Sequence, residues 1–382
     1  MNASDIKDRA AGAVMGSLIG DALGVGPHWY YDLNQLKSDY GDWIDDYTEP
    51  RPDRYHAGLK AGENSQTGQV ITFLLESVAA YEKYVQSDFT NRLDALLATL
   101  DGTPSGGRYT DAAMRHVWRA RKAGLDWSEA GSYVDTAEAA LRTPVLAARY
   151  HGELGLLLQH TLSNVLLTHR DPFIAGQSVA FALIVAASIQ GHPLSDMARV
   201  IGAQAQSQGV ALELRLRMPW NDSEPVSVPF IDALLQPGWS HAAAHDPSIR
   251  IEPPQAACRF FGLACTLGFM LPAVYYFNAR FEGDFEMAVL SAINGGGNNM
   301  ARAGLTGALA GSRTGLSGIP ERLIKGLREH ERLLGMVHRL VGLSAAEPIE
   351  PEVCTKAPEW AEHARLEDED QPCDDGRSGK LP

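Results

Sequence analysis

Ala11-Gly12-Ala13-Val14-Met15-Gly16-Ser17-Leu18-Ile19-Gly20-Asp21-Ala22-Leu23-Gly24 is the stretch on which the fold of this chain turns. From Asp5 to Gly24 the apolar residues Ile6, Ala10, Ala13, Val14 and Leu18 recur at three- and four-residue intervals, which is the helical period. Gly12, Gly16, Gly20 and Gly24 fall every fourth residue on one face of that helix. A glycine inside a helix costs about 1 kcal/mol relative to alanine, so a stripe of them implies that another backbone must come close. The same spacing returns at Gly307, Gly311 and Gly315 within Leu305 to Gly318. These two helices are therefore predicted to cross or neighbour each other in the core.

Between them the helical period marks Gln69 to Val85, Asp88 to Leu100, Thr110 to Ala123, Ser128 to Tyr150, Gly152 to Thr168, Pro172 to Gln190, Leu194 to Ser207, Pro254 to Asn278 and Phe285 to Asn294. Leu212, Leu214 and Leu216 alternate with charged residues, but one such run ahead of Pro219 makes at most a ribbon or an edge. Pro219 to Pro254 is rich in proline, glycine and histidine and reads as an irregular surface excursion. The fold class expected is all-α, with one helical domain over residues 1–345. Residues 346–382 are proline-rich and acidic, with Glu367, Asp368, Glu369 and Asp370 adjacent, and are expected to form an extended or partly disordered tail.

A chain of 382 residues with 45% hydrophobic and 21% charged residues has the balance of a globular protein. Its net charge of −14 and the lack of a Lys/Arg cluster interleaved with aromatics argue against a nucleic-acid partner. Phe173 to Ile189 and Phe260 to Phe277 approach the roughly 20 apolar residues of a membrane span. Small and polar residues interrupt both, so no membrane is expected and they read as central helices of a large domain. Cys258, Cys265, Cys354 and Cys373 lack the spacing of a zinc site and are expected to be reduced thiols. Asp5, Lys7, Asp8 and Arg9 do not fit a secretory signal, which leaves the cytoplasm as the default compartment.

Three segments together resemble the ADP-ribosylglycohydrolase family. They are the Ala11 to Gly24 stretch, Thr168-His169-Arg170-Asp171-Pro172, and Gly296 to Gly311 with Gly318-Ile319-Pro320, in the family's order. The resemblance covers roughly residues 8 to 340 and implies an all-α fold and removal of ADP-ribose with the help of two magnesium ions. Jellyfish J1 crystallins, lens proteins similar to this family, imply that the scaffold can also serve structurally.

Where the resemblance calls for metal-binding residues, this chain departs from it. A glutamate after the first motif is replaced by His28, a Thr-Asp-Asp-Thr run by Ser65-Gln66-Thr67-Gly68, and the aspartates and threonine of the last motif by Asn298, Met300 and Ala301. Magnesium is a hard cation, and two ions side by side need several carboxylates to offset their repulsion. The expectation is that the dinuclear site is lost and no cofactor is bound, with Asp21, Asp111 and Asp135 the carboxylates able to approach from elsewhere.

The replacements are largely hydrogen-bonding groups. His28, Gln66 and Asn298 are the catalytic candidates, since a histidine titrates near neutrality without special tuning. The competing reading has His28 packing beside Trp29 and donating to a backbone carbonyl. Trp29, Tyr30, Tyr31, Tyr55, His56, Ser65, Thr67, Arg108, Tyr109, His169, Asn299 and Arg302 are expected to line a pocket for a small polar or aromatic ligand. The helix starting near Gly68 would aim its free N–H groups into that space. For His169 the competing reading is a loop position ahead of a helix capped by Thr168 and Asp171, and Asp21 is expected to tie down the turn after its own helix. Asp135 and Glu138 are either an acid and base pair for metal-free glycosidic cleavage or a plain charged face. Two functions follow: a hydrolase that has exchanged metal activation for histidine and amide contacts, or a non-catalytic binding or structural protein. A ligand-filled aromatic pocket with a buried His28 favours an enzyme or a binder, and a collapsed pocket favours a structural role alone.

Overall fold

The computed structural model describes residues 2–104, 108–218 and 221–342, and the acidic tail lies outside them. Among the described residues there are sixteen α-helices and one two-stranded antiparallel ribbon. The opening helix, Ala3–Val25, starts on a capping box in which Asn2 and Asp5 exchange side-chain and backbone hydrogen bonds. From Ala10 to Val25 every residue is buried, so this helix runs through the centre of the molecule.

Its partner is the Asn299–Thr314 helix, packed antiparallel. A Cβ built at Gly12 would run into the carbonyl oxygen of Gly311, one at Gly16 into that of Gly307, one at Gly20 into that of Ala303, and one at Gly24 into Cα of Met300. The two glycine stripes therefore meet as expected, with one amendment. Gly315 lies just past the helix end as its C-cap, and the carboxylate of Asp8 occupies the place its side chain would need. Around this pair stand Glu138–Tyr150, Pro172–Ile189, Leu267–Arg280 and Phe285–Ile293. Pro172–Ile189 is long and apolar enough to cross a membrane, but 89% of that stretch is buried among the other helices, as befits a core element.

Several boundaries differ from the sequence reading. The helix expected from Ser128 begins at Glu138, because the preceding backbone is used in bridges: Ser132 N–H donates to Thr168 O and Arg170 N–H to Ser132 O. The helix expected over Pro254 to Asn278 is interrupted at Gly262, whose φ of +129° only glycine adopts readily. The supposed irregular excursion holds the second ribbon strand, Asn221–Pro229, and the helix Ile231–His245. Glu213–Met218 forms the first strand, with Leu214 and Leu216 on its buried side. Leu33–Tyr40, Glu321–Gly326 and His330–Gly342 are helices that periodicity did not reveal. Cys258 is a buried free thiol, whereas Cys265 is disulfide-bonded, correcting the expectation of a reduced thiol there. Cys354 and Cys373 lie outside the described residues.

Candidate functional site

The chain leaves the opening helix through a tight turn that presents His28 and Trp29. Trp29 holds a left-handed backbone with φ of +60°, costly for a bulky residue. Its N–H donates to Gly297 O at 3.0 Å, and Gly297 N–H donates back to Tyr30 O at 2.8 Å. This pair of bonds ties the first motif to the last and fixes where His28 points.

His28 Nδ1 meets His56 Nε2 at 2.8 Å, with both rings buried. Trp29 packs on His28 with ring centroids 4.2 Å apart, and Tyr55 and Tyr109 stand edge-on to Trp29 at 4.7 and 4.6 Å. His28 Nε2, His56 Nδ1 and Asn298 Nδ2 are buried and make no well-formed hydrogen bond, although Asn298 stands near enough to His28 to favour its protonation. Burial, with the neighbouring His56 imidazole, holds His28 well below the usual histidine range, and burial beside Arg108 brings His56 down to about 3. Both rings are neutral at physiological pH. Trp29, Tyr55 and Tyr109 gather round the histidine pair and pack on one another, whereas Tyr30 stands edge-on to Tyr40 instead.

The open space lies next to them. Gln66, Thr67, Asp111, Glu138, Arg142, Thr168 and His169 line a cavity with room for about one water molecule. Gln66 and Thr67 come from the first turn of the Gln66–Tyr81 helix, where Gln66 Nε2 donates to Thr110 Oγ1 at 2.9 Å while its Oε1 has no partner. Asp111 caps the Ala112–Lys122 helix through Met114 N–H, and Glu138 opens the Glu138–Tyr150 helix. Asp111 keeps part of its surface in solvent, yet the protein packed around it and the Glu138 carboxylate push its pKa up to about 6. Burial also raises the pKa of Glu138.

Arg142, one helical turn beyond Glu138, is fully enclosed. It donates to Asn164 Oδ1 at 2.6 Å, to Asn164 O at 2.7 Å and to Thr168 Oγ1 at 2.8 Å. Burial lowers its pKa to about 10, which leaves it cationic at neutral pH. His169 is anchored between Thr168 Oγ1 and Thr136 Oγ1, with Nε2 3.6 Å from Glu138 Oε2. Burial and the neighbouring Arg142 bring its pKa down to about 4, so the two do not form an ion pair. His169 is thus a cavity residue, and Asp171 alone caps the next helix.

Some expected ligand contacts serve the scaffold instead. Ser65 Oγ donates to Asp21 Oδ2 at 2.5 Å and accepts from Gly68 N–H, capping the Gln66–Tyr81 helix. That cap also spends one of the N–H groups expected to face an anion. Asp21 accepts from Ser65 N–H, Ser65 Oγ and Asn64 Nδ2, so it secures this second loop and not the turn after its own helix. Tyr30 donates to Asp39 Oδ2, and Asn299 donates to Pro27 O and Ile293 O. Arg302, completely buried, donates to Gly296 O and Gly262 O and holds the glycine turn in place. Arg108 donates to Asn64 O, and the glycines before it lie outside the described residues. Tyr31 is half-buried and does not line the cavity.

A sequence profile of the ADP-ribosylglycohydrolase family matches residues 2–349. The chain belongs to this family. A protein of Archaeoglobus fulgidus, itself called only an uncharacterized protein, is 23% identical over 339 residues, covering 88% of this chain and 97% of its own. A solved structure described as an ADP-ribosylglycohydrolase-related protein complex shares the fold with a TM-score of 0.56 and 18% identity, over 89% of this chain and 99% of that one.

The family's metal positions can now be compared with what occupies them. His28 meets His56 through Nδ1, Ser65 is spent on Asp21 and Gly68, Gln66 and Thr67 offer only neutral oxygens, and Asn298 Oδ1 accepts from Ala301 N–H as the cap of its helix. Met300 and Ala301 offer no hard donor, and the adjoining cavity already contains the cation of Arg142. This donor set does not suit a pair of magnesium ions. Sequence reasoning missed Arg142 and Thr168, and left Asp111 and Glu138 outside its site. One signal was present: Glu138 and Arg142 stand four apart in a helix otherwise buried on every side, where a charge has no route to solvent.

Proposed function

We propose that this member of the family is a hydrolase acting on a small ribosyl-like or other polar substrate, and that it works without the family's metals. The observation supporting this is the Asp111/Glu138 pair, two carboxyl groups whose protonation is displaced toward neutrality inside a cavity. Such an arrangement costs stability in a purely structural protein, and pairs of groups with displaced pKa values are where acid and base roles reside. In this reading one of Asp111 and Glu138, when protonated, delivers its proton to the leaving group of a glycosidic bond while the other, as the carboxylate, takes one from the attacking water. Arg142 balances the remaining negative charge, and Gln66 Oε1 and His169 orient the sugar hydroxyls. A substrate must displace the side chains that narrow the cavity, with the aromatic cluster of Trp29, Tyr55 and Tyr109 as its neighbour.

One specific observation favours the second reading, a non-catalytic scaffold: the rings of Trp29, Tyr55, His56 and Tyr109 pack edge-on against one another. Turnover decides between them. Purified protein is incubated with a nitrophenyl riboside, free ADP-ribose and an ADP-ribosylated peptide, with magnesium or with EDTA. Expected is hydrolysis that EDTA does not change and that folded Asp111→Asn and Glu138→Gln variants lose. EDTA-sensitive turnover overturns the metal-free mechanism. No turnover and no shift in melting temperature with any of the three leaves the scaffold reading in possession.

A further inference from the structure

Far along the chain from the cavity, the Ile231–His245 helix carries His241 and His245 four residues apart, on one face. Their rings stack with centroids 4.1 Å apart, and Glu282 faces them from the turn after Leu267–Arg280. One ring nitrogen from each histidine and one carboxylate oxygen of Glu282 all lie within 4.8 Å of one another. Among the described residues this is the one such grouping of three.

We propose that His241, His245 and Glu282 bind a borderline transition-metal cation of the zinc type. Ligand atoms around a tetrahedral zinc are about 3.3 Å apart at metal–nitrogen bonds of about 2.0 Å, so modest side-chain rotation closes the site. Two histidines one turn apart with a carboxylate from a second element form a three-ligand set with the fourth position open to water. The orientation of His245 fits this role. Its Nδ1 hydrogen-bonds to His241 O at 2.8 Å, which puts the proton on Nδ1 and leaves Nε2 with its lone pair, the tautomer a ligating imidazole needs. His241 is the more enclosed ring, and among the described residues no side chain or backbone group forms a hydrogen bond with its nitrogens. Glu282 is engaged through Oε1 by Arg313, the next-to-last residue of the Asn299–Thr314 helix, and keeps its second oxygen available. Magnesium is not expected here, because it prefers oxygen and these ligands are mostly nitrogen. A bound ion would join the Ile231–His245 helix to the end of Leu267–Arg280 and, through Arg313, to the central helix.

The test uses untagged full-length protein, zinc chloride as the probe, and magnesium chloride for comparison. Calorimetry and elemental analysis after gel filtration are expected to show one equivalent of zinc and no magnesium at this site, together with a zinc-dependent rise in melting temperature. His241→Ala, His245→Ala and Glu282→Gln are each expected to weaken zinc binding more than about tenfold and to remove the thermal shift, whereas His338→Ala, a change at another exposed histidine, leaves both intact. Arg313→Gln removes the competing cation and is expected to tighten binding. No stoichiometric zinc, or zinc binding that persists in His241→Ala and Glu282→Gln proteins with unchanged circular dichroism, overturns the proposal.

Discussion

The seam between the Ala3–Val25 and Asn299–Thr314 helices and the Asp111/Glu138 cavity lie close together and are built on opposite principles. The seam has almost no side chain: Gly12 and Gly16 face Gly311 and Gly307, Gly20 and Gly24 face the backbone of Ala303 and Met300, and the helices touch through backbone. The cavity is lined by four ionisable groups, Asp111, Glu138, Arg142 and His169, and two of its polar atoms, Glu138 Oε2 and Gln66 Oε1, are buried with no hydrogen-bond partner. Close packing gains stability from each atom it adds, until a contact becomes too short. A buried charge or orphaned acceptor subtracts from it. The first region is expected to be intolerant of any change that adds volume, and the second to become more stable when its charges are removed while losing what those charges do.

The largest expected effect is in the seam. Gly311→Leu places a branched side chain against the carbonyl of Gly12, which cannot move without displacing the central helix. Because both surfaces are backbone, destabilisation should exceed the usual overpacking cost and reach about 3 kcal/mol or more, read from denaturant melts. A Gly311→Leu protein with native stability would break the contrast.

A smaller effect of opposite sign is expected in the cavity. The folded pKa of Asp111, about 6 against an ordinary 3.8, means the native state holds the proton more tightly than the unfolded chain. Stability contributed by this group therefore falls as pH rises from about 4 to about 6, and the penalty is full above that. Asp111→Asn should accordingly melt higher than the parent at pH 7.5, with the difference shrinking towards pH 4. Were the variant less stable at pH 7.5, the carboxylate would be a structural anchor and the functional reading of the cavity would lose its support.

The subtlest test concerns the imidazole pair. The folded pKa of His56 is depressed from 6.5 to about 3, so the native state binds fewer protons than the unfolded chain between those values. Its contribution is fully present above about 6.5 and is lost as pH falls towards 3, the reverse of Asp111. His56→Asn should flatten the acid limb of the stability profile relative to the parent, by a slope change measurable in urea melts at pH 4.5, 5.5 and 6.5. An unchanged limb would show that the pair is not enclosed as described.

The candidate site was only half legible in the linear chain. Of the aromatic residues expected beside His28, Trp29, Tyr55, His56 and Tyr109 stand together there, whereas Tyr30 packs on Tyr40 and Tyr31 does not line the cavity. Ser65, Asn299 and Arg302 carry the right chemistry for ligand contact but spend it on a cap and on backbone carbonyls. A sequence shows which donors exist and not which acceptor each one meets. The cavity residues failed to stand out for the same reason: Glu138 and Asp135 looked equivalent, yet one is buried at a helix start and the other is exposed against Thr266 Oγ1.

The sequence by itself determined the helical class and the pairing of the two glycine-striped helices, because periodicity and the absence of a side chain are local properties with one physical use. It also placed His28, Ser65, Gln66, Asn298 and Met300 where the resemblance calls for metal ligands, since that depends only on which residue stands at each position. The tertiary structure alone decided that Asp111 and Glu138 share one cavity with Arg142 and His169, that His28 is bound to His56, and that His241 and His245 face Glu282. Each of those relations joins residues brought together by packing, and protonation and hydrogen bonding respond to the neighbours in space and not to the neighbours in the chain.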